Sequence, residues 1–332
     1  MNEVAILFFS RDPGATNQLV AVHELLCLRR ANDVPAIHAL RKQNERVNNA
    51  CLKPIIVAKK YALDVWRTVG VRAENWDEIC VPMAEFLIDR EVALVVTGAD
   101  DIDEADTVLL WETAQKAGIP VVVFLDNLIN LAERFRLRSG ALIAPELVFA
   151  LDHNSVQSLA AAGIPENRIL VTENLHHARL SRIADEGTAR SQRLRVSWGA
   201  DRVTQVILFA SENTQEMAAL GRPAPYDEHA VLQGLLKDIA EGQPVGVVDP
   251  TQGPVLVVIR PHPRDAIGKY DSYANLSNLR LKVCSVGSPQ DAILAADLVA
   301  GMDSALLFEA KILGRPAVSL VPQSTFNEKF PS

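Results

Sequence analysis

Two short runs toward the C-terminal end hold the groups best placed to do chemistry. Arg260-Pro261-His262-Pro263-Arg264 sets an imidazole between two guanidiniums, and its two prolines stiffen the backbone in an extended form. Guanidinium forks match phosphate oxygens and an imidazole adds a further donor, so this spacing suits a phosphate clamp. It equally suits a histidine satisfied by a backbone carbonyl beside two solvated arginines. About forty residues on, Gly301-Met302-Asp303-Ser304 precedes a run with helical apolar spacing that carries Glu309. Gly301 permits close backbone approach, Asp303 or Ser304 can cap, and the first N–H groups of a helix favour an anion such as a diphosphate. Glu309 is placed to reach back toward ribose hydroxyls, or else lies on the solvated face of an ordinary capped helix.

A second set of candidates is acidic and lies earlier in the chain. Arg11-Asp12-Pro13-Gly14-Ala15-Thr16-Asn17 follows a buried-type run and opens a helix; its one glycine is less than a dinucleotide fingerprint, but Gly14 allows close approach. Asp12 and Asn17 can meet sugar hydroxyls. The loop with Asp100, Asp101, Asp103 and Glu104, followed by Asp106, can supply a general base or bind a cation, although acids also favour the first turn of any helix. Asp126 and Asn127 end another apolar run and are followed by Asn130, Glu133 and Arg134. By position, Asp12, Asp101 and Asp126 are the candidate catalytic carboxylates. His176 and His177 are neighbours on a predicted helix, where adjacent side chains diverge by about a hundred degrees, so they do not hold one metal as a pair.

These groups need elements to place them. Strands are predicted at 4–10, 35–40, 54–57, 92–97, 121–125, 145–150 and 169–172, then at 203–210, 255–259, 297–300 and 317–321. Helices are predicted at 19–30, 58–69, 154–162, 229–239 and 304–313. Strands without alternation, separated by helices, make parallel sheets covered on both faces. Every polar run above then lies at a strand's carboxyl end, where open α/β sheets bind ligands. Two Rossmann-like domains are expected, 1–190 and 191–332, joined through the arginine-rich helical stretch 182–195. Ser211 and Glu212 end the first strand of the second.

The two C-terminal runs together resemble the nucleotide-binding half of GT-B glycosyltransferases. The His262-Pro263 pair is similar to the motif of bacterial sialyl-type and capsule-type transferases and of CDP-glycerol glycerophosphotransferases, which implies contact of His262 with a donor phosphate. A serine or Ser/Thr pair at a helix start accompanies it in those families; here Ser304 matches, while Asp303 and Ala305 stand where a second hydroxyl would be. Glu309-Ala310 with Gly314 and Pro316 resembles the E-A-x-x-x-G-x-P run shared with UDP-sugar 2-epimerases, where the glutamate holds the ribose. The resemblance covers residues 203–321. It implies an α/β, GT-B-like fold of two doubly wound parallel-sheet domains facing a cleft. Gly14, Ser211, Glu212, Arg260, His262, Arg264, Gly301, Ser304 and Glu309 would then serve the nucleotide and its phosphates.

The activity implied is transfer from a nucleotide-activated donor to a sugar or lipid-linked acceptor in surface polysaccharide or glycoconjugate synthesis. His262 would stabilise the leaving phosphate and Asp12, Asp101 or Asp126 would deprotonate the acceptor, with no metal or other cofactor. The histidine motif inclines toward a cytidine-linked donor. A UDP-sugar 2-epimerase or nucleotide-sugar hydrolase, and a non-catalytic nucleotide binder, are the alternatives.

Composition agrees. A chain of 332 residues has room for two cores, and a net charge of -8, from 33 basic and 41 acidic residues, argues against a nucleic-acid partner. Four cysteines without C-x-x-C spacing are expected as reduced core thiols. The apolar run 4–9 meets Arg11 and Asp12 at once, and no run approaches the eighteen or so apolar residues of a membrane span. A soluble, cytoplasmic protein is expected, with peripheral association at the inner membrane face and homodimer formation left open.

Overall fold

The structure, a computed structural model, describes residues 3–27, 35–48, 50–100, 105–127, 130–186, 188–275 and 279–321. The chain forms two compact units, Met1–Ala178 and Arg179–Ser332.

The first unit is built on seven parallel strands: β1 (Glu3–Ser10), β2 (Cys51–Ala58), β3 (Glu74–Asn75), β4 (Val92–Gly98), β5 (Val121–Phe124), β6 (Leu147–Ala150) and β7 (Ile169–Val171). Their order across the sheet is β3-β2-β1-β4-β5-β6-β7. β1 is apolar at six successive positions because both faces are covered: Val4, Ile6 and Phe8 enter one core layer and Ala5, Leu7 and Phe9 the other. Each layer contains a fully buried indole tied to a strand's carboxyl end. Trp66 Nε1 donates to Ser10 Oγ at 3.1 Å, and Trp111 Nε1 donates to Thr97 Oγ1 at 2.8 Å. The ends of β1 and β4 are thereby anchored to the helices that cover them, and truncating either tryptophan is expected to cost about 3–5 kcal/mol.

Three sequence expectations change here. Residues 35–40 form a helix, Pro35–Arg41, not a strand; proline suits a first helical position, and Ala36, Ile37 and Leu40 bury one helical face. The first helix starts at Pro13 rather than at 19, because Pro13 and the small residues after it can enter a first turn. Cys51 and Cys80 are exposed and Cys284 is half-buried, so these three are not core thiols: Cys51 opens β2 outside the packed layers and Cys80 lies in a loop.

The second unit repeats the plan with β8 (Gln205–Ala210), β9 (Val255–Arg260), β10 (Arg280–Val283), β11 (Leu298–Gly301) and β12 (Ala317–Ser319), all parallel, in the order β10-β9-β8-β11-β12. Leading into this unit, the stretch expected as a helical connector lies in two helices, Leu175–Glu186 and Thr188–Ser197. β8 again serves two layers, Val206 and Leu208 facing one and Ile207 and Phe209 the other. β11 lies so close to β8 that a Cβ on Gly301 would sit 2.9 Å from the Ala210 carbonyl oxygen. Gly301 therefore serves the sheet itself, not only a ligand. In both units strand order reverses beside the first strand, between β1 and β4 and between β8 and β11, and the carboxyl ends there form the crevice in which such sheets bind ligands. Among the described residues no helix is long and apolar enough to cross a membrane.

Candidate functional site

At the reversal in the first unit, β1 ends at Ser10 and the chain turns through Arg11 and Asp12 into the helix Pro13–Cys27. Asp12 caps that helix with its backbone, its carbonyl accepting from Thr16 N–H at 2.9 Å and from Thr16 Oγ1 at 2.7 Å. Gly14 follows in the first turn, and a Cβ there would fall on Asp126 Oδ2. The glycine thus lets the Asp126 carboxylate lie against the positive end of the helix. Arg134, itself buried, holds the arrangement from the other side: Nη2 donates to Asp126 Oδ1 at 2.8 Å, Nη1 to Asn127 Oδ1 at 3.1 Å and Nε to the Asp100 carbonyl at 3.1 Å. Arg11 Nη1 lies 3.4 Å from Asp12 Oδ1.

Asp100, two residues past β4, is 6% exposed and accepts a short hydrogen bond from Thr107 Oγ1. Its carboxyl is pushed up to about 7, chiefly by burial and then by the charge of Asp12; the Thr107 hydroxyl and the guanidiniums of Arg11 and Arg134 pull the other way without prevailing. Arg134 turns its Nη2 to Asp126 and its Nε to the Asp100 backbone carbonyl, and its pull on the Asp100 carboxyl does not outweigh burial. A carboxyl poised there, within reach of the charge of Asp12 at a strand reversal, has the setting of a general acid and base.

Asp126 lies against the first turn of the helix that Asp12 caps, and Asp100, which the sequence placed in the loop after β4, feels the charge of Asp12. Asp101, with Asp103 and Glu104, lies outside the described residues. Asp106 is held by Lys59 at 2.6 Å, and that hydrogen bond is the main cause raising the Lys59 pKa. His176 is buried, its N–H donating to Gln18 Oε1 at 3.3 Å, and its ring lies 6.1 Å from that of His177 at an angle of 48°.

At the reversal in the second unit the loops after β8 and β11 are tied by Glu212. Its Oε1 accepts the Asp303 N–H at 2.5 Å and its Oε2 accepts the Tyr226 hydroxyl at 3.0 Å. Tyr226 is held far above its ordinary pKa by burial and then by the charges of Glu212 and Asp303. Ser304 is the N-cap of the helix Ala305–Ile312, its hydroxyl accepting from Leu306 N–H at 3.3 Å. The carboxylate of Glu212 thus already supplies an anion to the backbone just ahead of this helix.

The loop after β9 carries His262. Arg264 N–H donates to His262 Nδ1 at 3.1 Å, which places the proton of a neutral imidazole on Nε2. His262 N–H donates to Asp265 Oδ2 at 2.7 Å. Ser211 faces inward, its hydroxyl bonded to Tyr270 and lying 3.4 Å from Asp265 Oδ2. Arg260 Nη2 donates to the Gly287 carbonyl at 3.0 Å, while its buried Nη1 makes no hydrogen bond among the described residues. Burial lowers the Arg260 pKa, opposed by the nearby Cys284, Glu309 and Asp291. Glu309 is buried on its helix, not on a solvated face, and its Oε2 accepts from Gln290 Nε2 at 3.0 Å. Asp265, Lys269, Glu216 and Glu228 were not foreseen. Glu216, Glu228 and Asp265 place oxygens within 4.8 Å of one another, as a cation site would, but Lys269 Nζ lies among them.

With this geometry in view, comparison with solved structures is decisive for the fold. The chain is similar to UDP-GlcNAc 2-epimerase from Neisseria meningitidis bound to UDP-GlcNAc, at 16% identity over 98% of this chain and 85% of that one, with a TM-score of 0.59. The Methanocaldococcus jannaschii UDP-GlcNAc 2-epimerase is similar at 15% identity, over 98% and 86%, with a TM-score of 0.61. The fold is of the GT-B type. An Anabaena protein, HepE, solved with UDP and glucose, is similar at 14% identity over 95% and 80%, with a TM-score of 0.51. No protein-family model matches this GT-B chain, and no curated protein matches its sequence.

Proposed function

We propose that the chain is an enzyme acting on a nucleotide-diphosphate sugar: the carboxyl edge of the second unit's sheet has groups suited to a nucleotide, and the first unit has carboxylates suited to moving protons. The observation that carries this reading is Asp100: a buried carboxyl poised at about 7, set against Asp12 at a strand reversal. Strongly perturbed carboxyls gather where protons are transferred, which supports that reading. In the second unit His262 offers Nε2–H as a donor to the diphosphate, with Arg264 beside it and the N-terminus of the helix capped by Ser304. The solved relatives bound to UDP and to UDP-GlcNAc support a uridine-linked substrate over the cytidine-linked donor that the histidine motif alone suggested.

Two chemistries fit. The raised Asp100 beside the charge of Asp12 favours proton removal and return on the sugar itself, as in 2-epimerisation, because the two offer an acid and a base. The histidine-bearing loop after β9, with its resemblance to HP-motif transferases, favours transfer to a hydroxyl, in which a first-unit carboxylate takes the hydroxyl proton and the nucleotide leaves against His262. Incubation with UDP-GlcNAc in deuterated water decides between them. Deuterium in the recovered sugar nucleotide with no acceptor present supports epimerisation. UDP release that requires an added sugar acceptor supports transfer. Neither label nor release, with UDP still raising Tm in the native protein but not in His262→Ala, would leave a nucleotide binder without turnover and remove the catalytic reading.

A further inference from the structure

The Lys269 side chain is 6% exposed, and its ammonium touches carboxylates from three different segments. Asp265 Oδ1 lies at 2.8 Å, Glu216 Oε2 at 2.7 Å and Glu228 Oε1 at 2.5 Å. Asp265 and Lys269 belong to the loop after β9, Glu216 to the short helix Thr214–Ala219 after β8, and Glu228 to the first turn of the helix Glu228–Ala240. The side chains of Glu228 and Asp265 are 0% and 1% exposed. Taking such charges out of water costs about as much as their attraction returns, so a cluster of this kind is better explained by the geometry it fixes than by net stability.

What it fixes is the turn that carries His262. The second oxygen of Asp265 accepts His262 N–H at 2.7 Å, and Asp265 N–H donates back to the His262 carbonyl at 2.9 Å. That closed ring sets the backbone so that Arg264 N–H meets His262 Nδ1. Ser211, which the sequence suggested as a phosphate ligand, instead braces the same carboxylate from β8, with Tyr270 on its hydroxyl. Lys269 therefore acts at one end of a chain of contacts whose other end is the proton position on an imidazole.

We propose that the Lys269–Asp265 pair is the positioning device of the His262 loop, locking the imidazole as an Nε2–H donor for the diphosphate. This rests on the reading above that His262 faces the substrate's diphosphate. Neither residue touches the ligand; both act through His262.

The test is imidazole nitrogen NMR on the full chain without nucleotide, at a pH where the ring is neutral, with His262→Ala identifying the signal, followed by UDP titration. The native protein is expected to show the Nε2–H tautomer, and Lys269→Met to show a mixture of tautomers with UDP affinity about tenfold weaker. Asp265→Asn, which keeps the size of the side chain but turns an amide toward the ammonium, is the second variant should Lys269→Met fail to fold, and the same loss is expected of it. An Nδ1–H tautomer in the native protein overturns the proposal, as does a folded variant that keeps the native tautomer, since a merely structural role lowers Tm and leaves the imidazole alone. A shifted tautomer with unchanged UDP affinity upholds the positioning and removes the diphosphate assignment instead.

Discussion

Each unit sets acids near the carboxyl end of its first strand, and the pKa values of Glu216 in one and Asp100 in the other move in opposite directions. In the second unit burial opposes the charge on Glu216, but the Lys269 hydrogen bond prevails and its pKa falls below the ordinary carboxylate range, while that of Lys269 rises. In the first unit burial prevails and Asp100 is pushed up to about 7. The difference is where the cation sits. Lys269 Nζ lies among its three carboxylates, whereas Arg134 turns Nη2 to Asp126 and Nε to the Asp100 backbone carbonyl, and its charge and that of Arg11 only partly offset the burial of Asp100. A compensated cluster holds shape; an undercompensated one holds a transferable proton.

The largest expected effect breaks this contrast on its reactive side. Asp100→Asn should lower turnover of the sugar nucleotide by about a hundredfold or more, the usual scale for losing an acid–base group, while UDP affinity stays within about twofold. The same variant carries a pH signature. Because the folded-state pKa of Asp100 lies above the ordinary value of 3.8, its contribution to stability is present below about pH 4 and is lost as pH rises through about 7. Asn does not titrate, so urea denaturation at pH 8 should show Asp100→Asn gaining on the native protein by up to about 4 kcal/mol relative to the difference between them at pH 4. A constant difference across that range would mean that Asp100 is ionised throughout, and the contrast between the two clusters would disappear.

Gly14→Ala is next. Its new methyl falls on the Asp126 carboxylate, and a loss of about 1–3 kcal/mol is expected by urea denaturation, with lowered turnover because Asp126 must move. In the second unit His262→Ala should weaken UDP binding about tenfold by calorimetric titration, the worth of one charge-assisted hydrogen bond. Glu212→Gln is the smallest and has the opposite sign. The amide keeps an acceptor for Asp303 N–H but removes a negative charge from the backbone ahead of the Ala305–Ile312 helix, so UDP should bind about threefold tighter. Weaker binding by that variant would show that Glu212 serves the ligand directly.

Most of the sheet was legible because parallel strands covered on both faces leave unbroken apolar runs, and β1, β4, β5, β8 and β9 each show one. β10 and β3 left no such run: β10 alternates Arg280, Leu281, Lys282 and Val283 at the edge of its sheet, and β3 is two residues long. Residues 35–40 read as a strand because a short apolar run has the same look in a strand and in a buried helix face. At the site, residues at strand ends could be found, since a strand's carboxyl end is visible as the place where an apolar run stops. Lys269 and Glu228 could not, because their meaning lies in a contact 41 positions apart in sequence that only folding creates. Ser211 and Glu309 point inward, which the sequence did not reveal, because a side chain's direction within a loop or a helix turn is set by its neighbours in space.

The strand order has a consequence in time. β1 is made first, yet it pairs with β2 on one side and β4 on the other, and β4 begins about eighty residues after β1 ends. At a synthesis rate of about 5–20 residues per second, the apolar flank of β1 that β4 will cover stays open for roughly 4–16 seconds on the ribosome. Asp12 emerges at the start of that interval and Asp100 at its end. The acidic group of the first unit therefore comes into being only when its sheet closes, and an unfinished chain displays a sticky strand edge before that group is assembled.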